Sequence, residues 1–237
     1  MEMETYEVKG AFSGNVKIYH YKSWKQSNKV ILVLKGIYGE HIPDASSWDN
    51  TLVKLLQDDY NIIFVRTSRL SGKIDRDAFI GKTFEQECSE VEDAFDYCNK
   101  NIFSGDYVWG CVGASLGGTT LLGLPKILSK MSLVIMAGSG CGKNPNTTRP
   151  LTSTLPSVDE LLQSLDYYHS VFTFLHGEND TVVPLDSQQM IYERASKSSL
   201  KHEWVELPNL DHRLRDSVTG ESYMAGIIKR YILENFT

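Results

Sequence analysis

Ser115 stands in the stretch Gly113-Ala114-Ser115-Leu116-Gly117, a G-x-S-x-G pattern. An apolar run, "YVWGCVGA" (107–114), precedes it, and "SLGGTTLLGLPKIL" (115–128) follows, reading as helical despite its glycines. A serine on a tight strand-to-helix turn is held in an unfavourable backbone conformation with its hydroxyl projecting. The residues two before and two after it must therefore be small. The helix that follows aims free N–H groups and the positive end of its dipole at the same spot, which makes the Leu116 N–H a candidate oxyanion donor. This is the equipment of nucleophilic acyl transfer. The plain alternative is a glycine-rich turn with an incidental serine. A phosphate loop is excluded because no Lys-Ser/Thr follows the glycines. A dinucleotide fingerprint is excluded by the glycine spacing and by the motif's place, which is not after the first strand.

A serine hydroxyl needs a base, and the base needs an acid to orient it. "FLHGENDTVVPLD" (174–186) offers Glu178, Asp180 and Asp186 as acids after a strand ending at Gly177. "LPNLDHRLRD" (207–216) offers His212 as base after a strand ending at Pro208, with Asp211 beside it reading as a turn cap or a solvent-facing group. Taken singly, an aspartate before Thr-Val-Val-Pro is an ordinary cap, and a loop histidine is an ordinary surface residue. Together they follow Ser115 as acid and then base, each after a strand, which is the order that accompanies a nucleophile elbow. His41 reads as a surface residue, or else as a substrate contact. His20, His169, His176 and His202 lie in or beside strands, and His176 reads as a packing and hydrogen-bonding residue. Tyr167 and Tyr168 are further candidates to line a pocket.

The elements that must position these groups alternate. Strands are expected at 16–21, 29–36, 61–68, 107–114, 132–138, 171–177 and 201–208, rich in β-branched residues and bounded by turn formers. Helices are expected at 47–59, 83–100, 115–128, 158–165, 186–196 and 222–233. Phe84, Cys88, Val91 and Phe95 fall on one stripe of the second. Such alternation predicts an α/β fold, a mostly parallel sheet with helices on both faces. The first two strands, with no helix between them, are candidates for an antiparallel edge. The interval between the strands at 132–138 and 171–177 is too short for a second domain. The chain therefore reads as one domain, 1–237, with 139–170 as a short lid segment at most. Its least regular part, 140–157, is rich in Gly, Pro, Asn and Thr.

From Lys29 onward the chain resembles the α/β-hydrolase superfamily. "HGENDTVVP" is similar to that family's H-G-x-x-D-x-x-V-P segment, and "DH" before the last helix is similar to its histidine segment. The resemblance implies Ser115 as nucleophile, Asp180 as acid and His212 as base, through an acyl-enzyme. It also implies an oxyanion donor after the third strand, where "LVLKGIYGEH" (32–41) stands. Ile37 N–H is the expected donor, with Tyr38 as the alternative. Lys35 occupies the place where the family carries a histidine, so the sequence departs from the family pattern at this loop, and the resemblance does not carry the loop's geometry over.

Composition narrows the class. The chain has 237 residues, 41% of them hydrophobic and 23% charged, an ordinary globular mix. A formal charge of −6 argues against nucleic acid or an anionic membrane as the main partner. No apolar stretch approaches the length of a membrane span, and "MEMETYEVKG" has no apolar segment of signal-peptide type. The four cysteines form no C-x-x-C pair, and no metal or cofactor constellation is evident. The expected protein is cytoplasmic, with reduced thiols. The expected activity is hydrolysis of an ester-type bond. A small lid favours a small-molecule ester, thioester or acylated compound over a long lipid. The rivals are a serine peptidase or amidase of the same fold, and a non-catalytic binding module that retains the fold.

Overall fold

Short runs dense in Val, Ile and Leu form the middle strands, because a strand covered on both faces has no polar side. In the computed structural model, residues 2–37, 41–43, 46–68, 81–143 and 150–236 are described. In chain order they form β1 (Met3–Lys9), β2 (Asn15–Tyr21), β3 (Lys29–Leu34), α1 (Trp48–Leu56), β4 (Asn61–Arg66), α2 (Phe84–Asn101), β5 (Val108–Ala114), α3 (Leu116–Leu122), α4 (Pro125–Leu128) and β6 (Met131–Ala137). There follow α5 (Pro150–Ser153), α6 (Val158–Leu162) with a 3-10 turn at Gln163–Tyr167, β7 (Val171–Gly177), α7 (Leu185–Ser196), β8 (Lys201–Leu207) and α8 (Met224–Asn235).

The strands make one eight-stranded sheet in the order β1-β2-β4-β3-β5-β6-β7-β8. From β4 to β8 every pairing is parallel. β2 runs antiparallel to β1 on one side and to β4 on the other. The expected antiparallel edge exists, but its partners differ from the expected pair: β4 lies between β2 and β3, which do not pair. The missing piece is β1, unread because its METYEVK sequence carries alternating charge and no apolar run. A turn closed by Gly10 N–H donating to the Gly14 carbonyl joins β1 to β2, and Lys17 pairs with Glu7 directly across the strands at 3.3 Å.

Alternation along each strand sends side chains to two cores. Val30, Leu32 and Leu34 of β3 face the layer that contains α2, α3, α4 and α7, while Ile31 and Val33 face α1 and α8. Phe84, Cys88, Val91 and Phe95 are all buried in the first layer, as their stripe predicts. Each fully buried side chain of this size contributes about 1.5–3 kcal/mol. The helix expected over 115–128 is broken into α3 and α4 at Gly123-Leu124, since Pro125 has no N–H and can only begin a helix. In the segment 139–170, the described residues from 151 onward bury Leu151, Leu155, Leu161, Leu162, Leu165 and Tyr168 in the layer shared with α2, α4 and α7. Among the described residues no helix is long and apolar enough to cross a membrane.

Parallel strands share one carboxyl rim. The turns after β3, β5, β6, β7 and β8 therefore open on the same side of the sheet, and this rim collects Gly36, Ser115, Gly138, Asp180 and His212.

Candidate active site

Ser115 is the residue between β5 and α3, and it holds φ +52°, ψ −122°. A non-glycine residue rarely adopts a positive φ, and the surroundings impose it here. The Ser115 N–H donates to the Ala137 carbonyl of β6 at 2.8 Å. A Cβ added at Gly117 would lie 2.0 Å from the Leu34 carbonyl oxygen, and one at Gly113 would lie 2.6 Å from the Gly118 Cα. The close approach of α3 to β3 and β5 thus requires both glycines of the G-x-S-x-G pattern.

The His212 ring bridges two partners. Its Nε2 lies 3.0 Å from Ser115 Oγ, and its Nδ1 lies 2.9 Å from Asp180 Oδ2. A carboxylate only accepts, so Nδ1 carries the proton and Nε2 is left to accept the serine hydroxyl. Asp180 follows β7, and its side chain has no exposed surface. Its Oδ1 accepts from the N–H groups of Val182 at 2.8 Å and Val183 at 3.1 Å. Burial pushes the carboxyl's pKa upward, but His212 and these two N–H groups outweigh it and hold the group below its ordinary value of 3.8. Asp180 therefore stays ionised beside the imidazole.

The other acids are occupied elsewhere. Glu178 is exposed and accepts from Asn209 N–H at 2.9 Å. Asp186 is exposed in the first turn of α7. Asp211 caps its own loop, accepting from the N–H groups of Arg213 and Arg215 and pairing with the Arg215 guanidinium at 2.8 Å.

Two features had no distinguishing signal in the sequence. Gln188 of α7, fully buried, donates from Nε2 to Asp180 Oδ2 at 3.0 Å. Gly138, at φ +55°, lies so close to His212 that a Cβ there would be 3.0 Å from the ring Nδ1. The loop after Gly138 is pinned by Thr119 Oγ1 donating to the Gly140 carbonyl at 2.6 Å and by Cys141 N–H donating to Ser187 Oγ at 2.9 Å.

Gly36 passes against the serine: a Cβ added there would stand 3.2 Å from Ser115 Cβ. That places the chain leading to Ile37 beside Ser115. Leu116 is the first residue of α3, where N–H groups have no acceptor within the helix. Tyr38, the alternative donor, lies outside the described residues.

Lys35 points away from this bend into a buried cluster. Its Nζ lies 2.8 Å from Asp49 Oδ2, and His41 Nδ1 reaches the same oxygen at 2.6 Å. His41 Nε2 meets the Tyr21 hydroxyl at 2.7 Å, and the ring stacks on Phe64 with centroids 4.0 Å apart. His41 is 2% exposed, so it is not the surface residue expected. Burial pushes the Asp49 carboxyl upward, but His41, Lys35 and Ser47 hold it far below its ordinary value. Tyr168 is likewise buried, donating to the Val171 carbonyl, whereas Tyr167 is exposed. His176 is the expected packing residue, 5.3 Å from the Trp204 ring and bonded to Gln188.

No protein-family model matches the sequence, and no curated protein sequence matches it. Solved structures do match over the whole chain. Est1E from Butyrivibrio proteoclasticus has a TM-score of 0.66 at 12% identity, covering 97% of this chain and 98% of its own. Dienelactone hydrolase from Anabaena variabilis has a TM-score of 0.70 at 14% identity, covering 99% of each. Acylaminoacyl peptidase from Pyrococcus horikoshii has a TM-score of 0.69 at 13% identity, covering 98% of this chain but only 41% of its own. At such identities the likeness is one of fold.

Proposed function

We propose that this chain, which has the α/β-hydrolase fold, is a serine hydrolase that cleaves an ester-type bond of a small substrate. One observation carries the reading: Ser115, His212 and Asp180 form an unbroken hydrogen-bonded line at 3.0 and 2.9 Å, although 97 residues separate the first pair. A binding protein has no need of that line.

Ser115 Oγ attacks the substrate carbonyl carbon while its proton passes to His212 Nε2. Asp180 keeps the ring in the tautomer with hydrogen on Nδ1 and stabilises the imidazolium that forms. The N–H groups of Leu116 and Ile37 receive the oxyanion; one such donor is worth roughly 10²–10³ in turnover. His212 then protonates the leaving alkoxide. Water, deprotonated by His212, attacks the acyl-enzyme, and Ser115 recovers its proton. The packing of residues 151–168 against the flank of the sheet supports an accessible site, and hence soluble esters, thioesters or short acylated compounds as substrates.

A fluorophosphonate probe tests the reading, with mass spectrometry to locate the adduct. The expected result is one modified residue, Ser115, and no labelling of Ser115→Ala. An unlabelled folded protein would support the binding-module rival. Turnover of an ester and an anilide of the same acyl group separates esterase from amidase, and the ester is expected to be faster. An ester series from acetyl to palmitoyl tests the small-substrate reading, which a strong preference for the longest chains would overturn.

A further inference from the structure

Asp180 has four donors, and one of them comes from a side chain outside the relay. The Gln188 amide sits between Asp180 and His176: Nε2 donates to Asp180 Oδ2 at 3.0 Å and to the Val183 carbonyl at 3.0 Å, while Oε1 lies 3.1 Å from His176 Nδ1. Its orientation follows from the partners. A carboxylate and a carbonyl only accept, so both demand the NH₂ group, and the oxygen then requires a donor, which the His176 Nδ1–H supplies. The amide has no exposed surface, and its fold position is secured by α7 packing on β7 and β8. A buried, fully bonded network of this kind is rigid.

We propose that Gln188 is a positioning residue of the relay: by donating to the same Asp180 oxygen that receives the His212 Nδ1–H, it fixes that carboxylate and limits the basicity Asp180 confers on His212. The inference rests on the reading of Ser115, His212 and Asp180 as the reacting set. A carboxylate oxygen shared between two donors is a weaker partner for each. Without the amide, the negative charge concentrates on His212, and the imidazolium form gains. His176 acts one step further out, by holding the amide the right way round. Within three residues of Asp180, Gln188 and His212 the other titratable groups are Glu178 in the loop after β7, Asp186 on α7, and Asp211, Arg213 and Arg215 in the loop after β8; farther off, Arg194 of α7 pairs with Asp166, and Asp216 accepts from the Val218 and Thr219 N–H groups. Asp211 and Arg215 neutralise each other, and Glu178, Asp186 and Arg213 are exposed.

Gln188→Met tests this, because it keeps the volume and removes the donor. Gln188→Asn is the companion variant, whose shorter side chain draws its amide back from Oδ2. Folding is checked by the thermal midpoint. The acid limb of the kcat/KM profile, which belongs to the His212–Asp180 pair, is expected to rise by about 0.5 unit, an about threefold loss on the acid side that vanishes at alkaline pH. The low-field proton resonance of His212 Nδ1–H is expected to move downfield. A purely structural role would lower the rate equally at every pH. A folded variant of either kind with its limb and its low-field resonance both at the parent positions would overturn the proposal. The resonance needs no turnover, so it reports on Gln188 even where retained labelling of Ser115→Ala overturns the nucleophile assignment.

Discussion

Replacing Gly138 by alanine would crowd the His212 ring from the backbone side. The added Cβ would stand 3.0 Å from Nδ1, 3.2 Å from Cε1 and 3.2 Å from the carbonyl oxygen of His212. Comfortable contacts between such atoms begin near about 3.5 Å, so the ring must retreat by about 0.5 Å. It has no slack, because its two nitrogens are bonded at 2.9 and 3.0 Å to groups fixed by other strands. A misplacement of about 1 Å in a reacting group is worth roughly 10²-fold, so kcat is expected to fall about 10- to 100-fold. The substitution also strains the backbone, since Gly138 holds φ +55°. That cost, about 1–2 kcal/mol, corresponds to roughly 2–8 °C in the melting midpoint for a chain of this length. Gly14 supplies the control. It holds φ +57° in the β1–β2 turn with nothing within 4 Å of an added Cβ. Gly14→Ala therefore carries the same backbone strain without the contact, and should lose midpoint but keep its rate. Ester turnover of both variants, measured well below their midpoints, decides the matter. Equal rates for Gly138→Ala and Gly14→Ala would refute the steric reasoning.

Asp180→Asn presents an NH₂ or a weaker acceptor to His212 Nδ1 and releases the ring's tautomer, and turnover at neutral pH should fall about 10⁴-fold with little change in fold. Lys35→Met takes the ammonium partner from the fully buried Asp49 carboxylate, which keeps its hydrogen bond to His41; the expected loss is about 3–5 kcal/mol, read as a lower urea midpoint, and an unchanged midpoint would show that the Lys35 charge is not needed there. Asp49 and Asp180 both have folded pKa values below the ordinary 3.8, so the stability they contribute is complete above that value and is lost as the pH falls below it. Denaturant midpoints should accordingly hold steady on their account down to about pH 5 and drop below about pH 4, with a smaller drop in Asp49→Asn; a flat profile to pH 3 would contradict this assignment.

The order of elements was legible because it depends on local periodicity: the apolar runs of β3 to β8 and the Phe84–Phe95 stripe announce themselves within a few residues. The candidacy of Ser115, Asp180 and His212, which the rim brings together, was legible for a related reason. The G-x-S-x-G bend needs glycine at fixed offsets, and an acid and a base must follow at the ends of later strands. β1 was not legible, since a half-exposed edge strand sends Tyr6 and Val8 to the first core layer but lacks the apolar run that marks the middle strands. The neighbours of β2 were not legible either, because pairing is a choice among distant strands with similar sequences of apolar residues.

The resemblance already pointed to Asp180 among the three acids; the tertiary structure gives the physical reason, which is burial: the Asp180 side chain turns inward onto His212, while Glu178 and Asp186 face solvent. Only the tertiary structure decided the fate of Lys35 and His41, which meet on Asp49, a residue of α1 that no local signal links to them. Gln188 and Gly138 belong to the same class. One is an ordinary helix residue and the other an ordinary strand-end glycine until the sheet brings β6, β7 and β8 to a common rim. Local sequence sets what each segment is, because backbone preference acts over a few residues. The company each side chain keeps is set by long-range packing, which acts across the whole sheet.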